Sequence, residues 1–313
     1  MHNSETIYTV SKDGKGDFKT IQEAVNAVED KLDSKTKIII RKGIYREKII
    51  VPAAKGAICF EGESLDETII VNGDFASKKN PEGKEMGTTG SSTIFIFSDN
   101  FLAKNVTFQN DAGKVGQAVA VLITGDKAIF KNCRFLGFQD TLYLKGQQDV
   151  PEPKREILHY FKNCYIEGTT DFIFGAATAV FKDCTIYAKE SATYLTAAST
   201  PENVRYGFVF IDCKIKGEAK PESVYLGRPW RSFAKTVFIN TEISGVIKPE
   251  GWHNWKKPEA EKTVFYAEFN STGSGGDVKN RVAWSRQLTK EQSKDYSIKN
   301  ILSGKDKWNF KIN

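Results

Sequence analysis

The amino-acid sequence predicts an all-β solenoid of stacked parallel strands, and two observations carry this prediction. A short run of alternating apolar residues recurs six times in the middle of the chain, at spacings of 20 to 31 residues. Each copy is rich in β-branched and aromatic residues, which favour strands. The segments between the copies vary in length, as in coiled repeats that stack a common strand at about 4.8 Å and vary their loops.

The repeated motif reads Phe-x-Asn/Asp-Cys-x-Ile/Phe in its clearest form. Cysteine, threonine or valine occupies the key position of the six copies: Val106, Cys133, Cys164, Cys184, Cys213 and Thr241. In stacked coils these residues form a ladder of small buried side chains beside a ladder of phenylalanines. Neighbours in such a ladder come within the Cα distance that a disulfide requires. A disulfide between stacked cysteines such as Cys164 and Cys184 is therefore an alternative to free thiols. Glycine stands four residues after the key position in four copies, including Gly137 and Gly217, and fits a backbone bend there.

The two ends of the chain differ from this repeat. Thr20 precedes a helical apolar period and Glu23 stands three residues later, which predicts a short capping helix on the first coil within about residues 1–30. The polar, Lys-rich tail over about residues 288–313 is expected to pack along the outside. No Pro/Ser-rich linker divides the chain, so a single domain over residues 1–313 is expected.

Composition narrows the class of function. The 313 residues are 40% hydrophobic and 27% charged, and 45 Lys+Arg against 39 Asp+Glu leave a net charge of +6. This excess favours an anionic partner such as an acidic polysaccharide, while the scattered basic residues argue against nucleic acid. No apolar run approaches the roughly 20 residues of a membrane span. Three distant histidines and the lack of C-x-x-C, P-loop and G-x-G-x-x-G motifs predict no metal site and no cofactor.

Alignment of two consecutive copies brings two carboxylates into register. Asp140 and Asp171 both stand seven residues after the key cysteine, in the pattern C-x-[FI]-x-G-x-x-D. In stacked coils the two side chains are expected about 5 Å apart. Two carboxylates this close cannot both ionise easily, and a neutral acid beside a charged one suits general acid and nucleophile chemistry. Two solvated turn aspartates are the alternative from the spacing alone. Later coils carry other residues at this position: Ser191, Lys220 and Lys248.

Several sequence blocks around these aspartates resemble the signature blocks of pectin methylesterases. Gln139–Tyr143 (QDTLY), Asp171–Gly175 (DFIFG) and Leu226–Trp230 (LGRPW) occur in that order. Further matching blocks extend over nearly the full chain: Val10–Thr20, Gly43–Glu47, Gly116–Ala120, Pro249–Trp252 and Tyr266–Asn270. The resemblance implies a right-handed parallel β-helix and an esterase that demethylates homogalacturonan (pectin). Residues 195–200 are similar to the bacterial branch of the family, and no inhibitor-like pro-region is expected.

The resemblance also implies roles for individual residues. Asp171 would be the nucleophile that attacks the C6 methyl ester of a galacturonate unit. Asp140 would protonate the departing methanol and then activate water to hydrolyse the acyl-enzyme. Gln117 and Gln139 would donate hydrogen bonds to the oxyanion, and Arg228 would hold Asp171 ionised and oriented.

The same resemblance predicts five contacts to the substrate. Trp230 and Trp252 would form apolar walls for sugar rings and methyl esters, and Tyr143 and Phe172 would flank the aspartates. Thr93 lies in a block that resembles the family's Ser-Ala-Thr stretch, and it would contact the sugar chain. For either tryptophan a purely structural role in the core is the alternative.

Two other functions fit the sequence features. A glycoside hydrolase could use carboxyl groups about 5–5.5 Å apart in a retaining mechanism, and a non-catalytic β-helix could simply bind acidic polysaccharide. A Ca²⁺-dependent lyase is disfavoured because the following coils lack a carboxylate cluster. We expect a monomer that acts outside the cytoplasm, secreted or periplasmic, although no signal peptide is visible in the sequence.

Overall fold

A computed structural model describes residues 5–147, 153–304 and 308 of the chain. The chain divides into two compact units. Unit 1 comprises Met1–Tyr143 and Asn163–Ile166, and unit 2 comprises Leu144–Lys162 and Glu167–Asn313. The single domain expected from the sequence stays a prediction.

Regular structure consists almost entirely of short strands. The strands up to the end of QDTLY are β1 Thr6–Val10, β2 Lys35–Ile40, β3 Gly43–Arg46, β4 Ile49–Val51, β5 Ala57–Gly62, β6 Thr68–Asn72, β7 Ile94–Ile96, β8 Leu102–Lys104, β9 Thr107–Asn110, β10 Val121–Ile123, β11 Ala128–Lys131, β12 Arg134–Leu136 and β13 Leu142–Leu144. The later strands are β14 Leu158–Lys162, β15 Tyr165–Gly168, β16 Thr170–Gly175, β17 Thr178–Lys182, β18 Thr185–Ala188, β19 Tyr194–Ala198, β20 Phe208–Ile211, β21 Lys214–Gly217, β22 Tyr225–Gly227, β23 Lys235–Ile239, β24 Glu242–Ile243, β25 Phe265–Phe269 and β26 Arg286–Gln287.

The helices that the structure describes are short. They are α1 Ile21–Ala27, α2 Gly87–Gly90, α3 Lys290–Ser293 and α4 Ile298–Ser303, with 3-10 helices at Pro258–Lys262 and Lys294–Tyr296. No helix in the described ranges is long and apolar enough to cross a membrane.

Unit 1 is a coil of three parallel sheets. Its strands are hydrogen-bonded in the orders β1-β2-β5-β8-β11, β4-β7-β10-β13 and β3-β6-β9-β12-β15, with β15 contributing its first two residues. Strands that follow one another along the chain fall in different sheets, and each strand pairs in parallel with the strand one coil away. Stacked coils of this kind bury the inward side chains in one continuous core.

Unit 2 repeats the same arrangement with its own strands. The three orders are β14-β17-β20-β23-β25-β26, β16-β19-β22 and β18-β21-β24, and the paired strands are again parallel. The solenoid of parallel strands predicted from the repeat is therefore confirmed within each unit.

The ladder of phenylalanines is also confirmed. In unit 2 Phe161, Phe181, Phe210 and Phe238 are successive register partners. Their rings stack with centroids 4.8, 4.5 and 4.5 Å apart. The stack follows from the strand spacing, because inward side chains at the same register position lie directly above one another.

The cysteines are reduced in the structure. All five are free thiols, and four of them are buried. Cys213 shows the environment: its thiol donates to the Phe181 carbonyl oxygen at 3.3 Å, and burial together with the neighbouring Cys184 raises its pKa well above the ordinary value. These cysteines behave as small buried side chains.

The repeat turns its corner at a residue that the sequence analysis did not single out. The residue before each key position has a left-handed backbone, with φ between 50° and 56°, and is always Asn or Asp: Asn105, Asn132, Asn163, Asp183, Asp212 and Asn240. Asn and Asp tolerate this conformation better than other residues with a Cβ. Their side chains also form ladders, since Asn132 donates to Asn105 in unit 1 and Asn270 donates to Asn240 in unit 2.

The repeat glycines serve close packing rather than a special φ. Gly137 and Gly217 are not among the residues with positive φ. A Cβ on Gly217 would lie 2.3 Å from the Ala188 carbonyl oxygen, and one on Gly137 would lie 2.6 Å from the Thr141 hydroxyl. Gly137 directly follows β12 and Gly217 ends β21, so both stand where the chain leaves a strand, and the bend expected at these glycines stays a prediction.

The predicted capping helix is confirmed as α1. Thr20 accepts from the Glu23 backbone N–H, and the Glu23 carboxylate accepts from the Thr20 N–H in a capping box. Glu47 accepts from the free N–H groups of Ile21 and Gln22, both at 3.0 Å. A carboxylate at this end satisfies orphan donors and complements the helix dipole.

The described part of the tail packs against unit 2. Ile301 and Leu302 of α4 are buried, and the Tyr206 hydroxyl donates to the Asp295 carbonyl oxygen at 2.9 Å. Residues 305–307 and 309–313 of the predicted tail, and residues 1–4 of the predicted N-terminal segment, lie outside the described residues.

Candidate active site

Asp171 occupies an irregularity in strand β16 of unit 2. The register between β16 and β19 shifts between Thr170 and Ile173, which places a bulge around this aspartate. Its φ is 49°, and only 6% of the residue is exposed. Bulges re-aim side chains out of the regular in–out alternation and are frequent beside active sites. The DFIFG block therefore presents a buried carboxyl that a regular strand would direct elsewhere.

Arg228 binds this carboxyl through two hydrogen bonds. It follows strand β22 directly, and its Nε donates to Asp171 Oδ1 at 2.9 Å while its Nη2 donates to Oδ2 at 2.7 Å. Burial raises the pKa of Asp171 above the ordinary value, and the hydrogen bonds and charge of Arg228 oppose this increase. Two parallel N–H···O bonds fix the plane of the carboxyl. The pairing expected between these side chains is present, while their catalytic roles stay predictions.

Two aromatic rings contact the same guanidinium. Its central carbon lies 3.8 Å from the centroid of the Tyr194 ring and 3.7 Å from the centroid of the Trp255 ring. Cation–π contacts of this kind attract the charge to the ring face. Sequence reasoning missed both residues. The spacing of Trp255 three residues after Trp252 was visible in the sequence, but nothing in it indicated a contact with Arg228.

Trp252 and Tyr266 belong to the core of unit 2. Trp252 is 1% exposed, and its ring stacks on Tyr266 with centroids 4.3 Å apart. The Trp252 Nε1 and the Tyr266 hydroxyl are buried and have no hydrogen-bond partner. Burial, with a smaller contribution from the negative charge of Asp171, raises the pKa of Tyr266 well above the ordinary value. The core beside the carboxyl is therefore apolar and aromatic.

Among the predicted substrate contacts in unit 2, Trp230 keeps exposed surface. Its ring is half-buried, lies 5.7 Å from that of Phe174, and is covered in part by Arg231 at 5.0 Å. Trp252, described above, and Phe172, which has no exposed surface, pack inside instead. Their burial does not support a direct sugar contact for these two residues, whereas Trp230 is suitably placed at the surface.

In unit 1, Gln117 and Gln139 lie opposite each other on neighbouring coils. They form an isolated parallel bridge, and the Ala118 N–H donates to the Gln139 carbonyl oxygen at 3.1 Å. Gln117 is exposed and Gln139 is half-buried. Register partners in a parallel pair project their side chains from the same face. Two amide side chains thus emerge side by side, each with N–H donors available to a substrate.

Asp140 follows Gln139 directly and shares two features with Asp171. It has a left-handed backbone, with φ of 66°, and is 7% exposed. Each aspartate stands five residues after one member of the register pair Phe135↔Ile166, which joins β12 to β15 in unit 1. This register agrees with the alignment of the two repeats. The closeness of the two carboxyls stays a prediction.

The remaining predicted contacts in unit 1 are buried. Tyr143 is 4% exposed and Thr93 has no exposed surface. The Thr93 hydroxyl donates to the Gln109 carbonyl oxygen at 2.9 Å, and its backbone N–H donates to Val119. Thr93 therefore joins neighbouring coils, and its burial does not support a direct contact with a sugar chain.

Within residues 5–147 and 153–304, no three His, Cys, Asp or Glu side chains are grouped so that they could hold a metal ion.

Comparison with known proteins identifies the family. The family model described as Pectinesterase matches residues 7–305. Pectinesterase QRT1 of Arabidopsis thaliana is 39% identical over 98% of this chain and 79% of the relative. Pectin methylesterase from carrot is 33% identical, with a TM-score of 0.85 over 98% of this chain and 97% of the carrot chain. A crystal structure of pectin methylesterase in complex with a hexasaccharide is 30% identical, with a TM-score of 0.81 over 94% and 96% of the two chains. The expected right-handed parallel β-helix is confirmed, and the chain belongs to the pectinesterase family.

Proposed function

We propose that this chain is a pectin methylesterase, which hydrolyses methyl esters on the galacturonate carboxyls of pectin and releases methanol and pectate. Family membership supports this function, and the solved relative with a bound hexasaccharide supports an oligosaccharide-like substrate. The observation that carries the proposal is the buried carboxyl of Asp171 held by two hydrogen bonds from Arg228. A desolvated, oriented carboxylate is suited to nucleophilic attack.

In the first step, one carboxylate oxygen of Asp171 forms a bond to the ester carbonyl carbon. The π electrons of the carbonyl move onto its oxygen, which becomes an oxyanion. We assign Gln117 and Gln139 as donors to this oxyanion, since amide N–H groups fixed in place stabilise charge as it develops. Arg228 keeps the attacking carboxylate in one orientation throughout.

In the second step, the bond from carbon to the methoxy oxygen breaks, and the oxyanion electrons re-form the carbonyl. We assign Asp140 as the acid that gives its proton to the leaving methoxy oxygen, which produces methanol. The remaining acyl-enzyme is a mixed anhydride on Asp171. Asp140, now a carboxylate, takes a proton from water as the water oxygen attacks the acyl carbon. The anhydride bond breaks, Asp171 is restored as a carboxylate, and the galacturonic acid product is released.

The polymer substrate requires a surface that accepts sugar rings beside this chemistry. Trp230, which is half-buried, is the aromatic residue of this set that we propose as a sugar platform. The net charge of +6 favours chains that already carry free carboxylates. We further propose that the protein acts as a monomer and outside the cytoplasm, secreted or periplasmic, where a cell-wall polysaccharide is accessible.

The proposal is tested by measuring methanol and new reducing ends from highly methylated pectin in parallel. An esterase releases methanol without new reducing ends, and Asp171→Asn should lower kcat by about four orders of magnitude or more, as removal of a nucleophile does in other hydrolases. Asp212→Asn is the matched control, because Asp212 also has a left-handed backbone and pairs with a cation. Reducing ends without methanol would indicate a glycoside hydrolase, and pectin binding without either product would indicate a binder.

A further inference from the structure

The segment after Trp252 forms an unusually tight turn. The Lys257 N–H donates to the Asn254 carbonyl oxygen at 3.0 Å, and the two central residues, Trp255 and Lys256, have φ values of 56° and 55°. Two successive positive φ values are the mark of a type I′ turn, which normally carries Asn and Gly. In the part of the chain that the structure describes, Trp255 is the one aromatic residue with positive φ. This conformation is strained for a bulky side chain. We call residues 254–257 the clamp turn.

Side chains within and beside the clamp turn hold it in this conformation. The Trp255 N–H donates to His253 Nδ1 at 3.0 Å, and the Lys256 N–H donates to Asn254 Oδ1 at 2.9 Å. The Asn254 side-chain N–H group donates in turn to Glu261 at 2.7 Å. A strained conformation persists only where its surroundings over-determine it. Each N–H group of the strained pair has its own acceptor, so the turn meets this condition.

Lys257 ties the clamp turn to the segment that carries Arg228. Its Nζ donates to the Pro229 and Trp230 carbonyl oxygens, both at 3.1 Å. The same Nζ lies 4.7 Å from the Trp255 ring centroid, and burial lowers the pKa of Lys257. The turn and the LGRPW segment are thus joined at a second point, independent of the contact between Trp255 and Arg228.

The strained backbone places the Trp255 ring against the Arg228 guanidinium. The central carbon of Arg228 lies 3.7 Å from the Trp255 ring centroid and 3.8 Å from the Tyr194 ring centroid, so both rings contact the guanidinium. The guanidinium is therefore in contact with two aromatic rings while its Nε and Nη2 donate to Asp171 at 2.9 and 2.7 Å. Two ring contacts in addition to two hydrogen bonds restrict the orientations that this planar cation can adopt.

We propose that Trp255 is a positioning residue for ester hydrolysis: with Tyr194 it clamps Arg228 so that both donors stay directed at Asp171, and His253 holds the clamp turn in its strained form. This inference rests on the proposed esterase function. Trp255 touches Arg228 and not the reacting carboxyl, so its effect on the reaction passes through the orientation of the guanidinium. The retained strain has a purpose under this hypothesis, because a relaxed turn would move the ring away.

Three substitutions of Trp255 distinguish the effect of losing the aromatic ring from the effect of relieving the backbone strain. Trp255→Ala and Trp255→Gly both delete the ring, but only glycine fits φ of 56° without strain. We expect both to lower kcat for methanol release by about 10- to 100-fold, the scale of a small misplacement in an active site, with KM changed less than about 2-fold. The thermal midpoint of the glycine variant should equal or exceed that of the alanine variant. Trp255→Phe keeps an aromatic face and should recover most of kcat.

The pH profile of kcat distinguishes positioning from simple packing. A loosened Arg228 opposes the burial-driven rise in the pKa of Asp171 less effectively, so the acid limb of Trp255→Ala and Trp255→Gly should move to higher pH. In unit 2, Arg228 is the charged side chain that lowers the pKa of Asp171 against the effect of burial. Two titratable groups lie beside this pair: Tyr266, whose pKa is raised by burial and by the charge of Asp171, and His253, whose pKa is lowered by burial and by the charge of Arg228. A rise in KM at unchanged kcat would overturn the inference and make Trp255 a sugar platform. Unchanged kcat with an unmoved acid limb would overturn it as well.

A measurement without turnover keeps the two proposals separate. The Nε–H of Arg228, observed by NMR, should exchange slowly in the wild type and at least 10-fold faster in Trp255→Ala and Trp255→Gly. His253→Asn retains an acceptor near the place of Nδ1 and should behave like the wild type, whereas His253→Leu should behave like Trp255→Ala. Equal exchange rates of the Arg228 Nε–H in the wild type and all variants would contradict the proposal that Trp255 positions Arg228. Slow exchange in a wild-type protein that releases no methanol, with faster exchange in Trp255→Ala and Trp255→Gly, would leave the clamp intact and contradict the proposed esterase function.

Discussion

Two ion pairs in unit 2 combine an aspartate in the left-handed conformation with a basic side chain, yet their environments differ sharply. Asp212, at a corner of the repeat, pairs with Lys182 at 2.8 Å, and 42% of its side chain is exposed. Asp171, in the bulge of β16, pairs with Arg228 at 2.7 Å, and 8% of its side chain is exposed. Backbone conformation, partner charge and distance are nearly the same in the two pairs, so burial is the variable that separates them.

The two pKa shifts have opposite signs for this reason. For Asp212 burial is the largest single effect and raises the pKa, but the hydrogen bonds from Lys182 and Asn240 and the charge of Lys182 together outweigh it, so the pKa lies below the ordinary value. For Asp171 burial outweighs the opposing effect of Arg228, and its pKa lies above the ordinary value. The first pair stabilises the charged form at a solvated corner. The second holds a desolvated carboxylate in a fixed orientation, which is the property a nucleophile requires.

The largest difference between the pairs should appear when each loses its cation. Arg228→Gln removes both charge and orientation from Asp171, and we expect kcat for methanol release to fall about 100- to 1,000-fold, the range found for loss of one preorganised electrostatic group. Lys182→Gln should leave kcat within about 2-fold of the wild type, because this corner lies outside the proposed chemistry. Steady-state kinetics on methylated pectin checks both variants. Equal losses in the two would mean that Arg228 acts only on stability.

The pH dependence of activity should also differ between variants of the two ion pairs. The attacking group must be ionised, so activity should fall as pH drops through the raised pKa of Asp171, at a pH above that of an ordinary aspartate. Arg228→Gln removes the effect that lowers this pKa, and the acid limb should therefore move to still higher pH. Lys182→Gln should not move it. An acid limb that shifts downward in Arg228→Gln would contradict the assignment of this limb to Asp171.

The smallest effect concerns stability at the solvated corner. Asp212→Asn keeps a residue that tolerates the left-handed backbone and loses an exposed ion pair, so the free energy of unfolding should fall by less than about 1 kcal/mol. Because the pKa of Asp212 is lowered by folding, this contribution is present near neutral pH and disappears as pH falls through the folded-state pKa. Urea unfolding at low and high salt measures it, and the difference should shrink with salt. A loss of several kcal/mol would show that the corner is not screened by solvent.

Much of the fold could be predicted because equivalent residues in successive copies of the repeat become register partners in neighbouring strands. Phenylalanines two residues before the asparagine or aspartate of each corner become register partners, as Phe181 and Phe210 do, since identical coils place equivalent residues one strand apart. Helix α1 could be predicted because Thr20 and Glu23 form a purely local capping box. The left-handed conformation of the Asn or Asp before each key position was not predicted, because only the backbone angles show it.

The candidate site also has features that could be predicted from the sequence and features that could not. The pairing of Asp171 with Arg228 followed from the family resemblance, although 57 residues separate them in the chain. Trp252 resembled a substrate wall in the sequence, but its ring lies on Tyr266 in the core. Trp255, only three residues further, contacts Arg228 instead. A positive φ decides where that ring points, and no local pattern in the sequence predicts a positive φ for a tryptophan.

The sequence by itself determined the coil, its register, the N-terminal cap and the residues that mark the family, because each depends on a repeated pattern, a local hydrogen bond or a shared motif. The tertiary structure alone decided which aromatic residues face the guanidinium and which face the core, and how far each carboxyl is removed from water. Those outcomes depend on the bulge in β16 and on the left-handed clamp turn, where hydrogen bonds to His253 and Asn254 hold backbone angles that Trp255 and Lys256 do not favour.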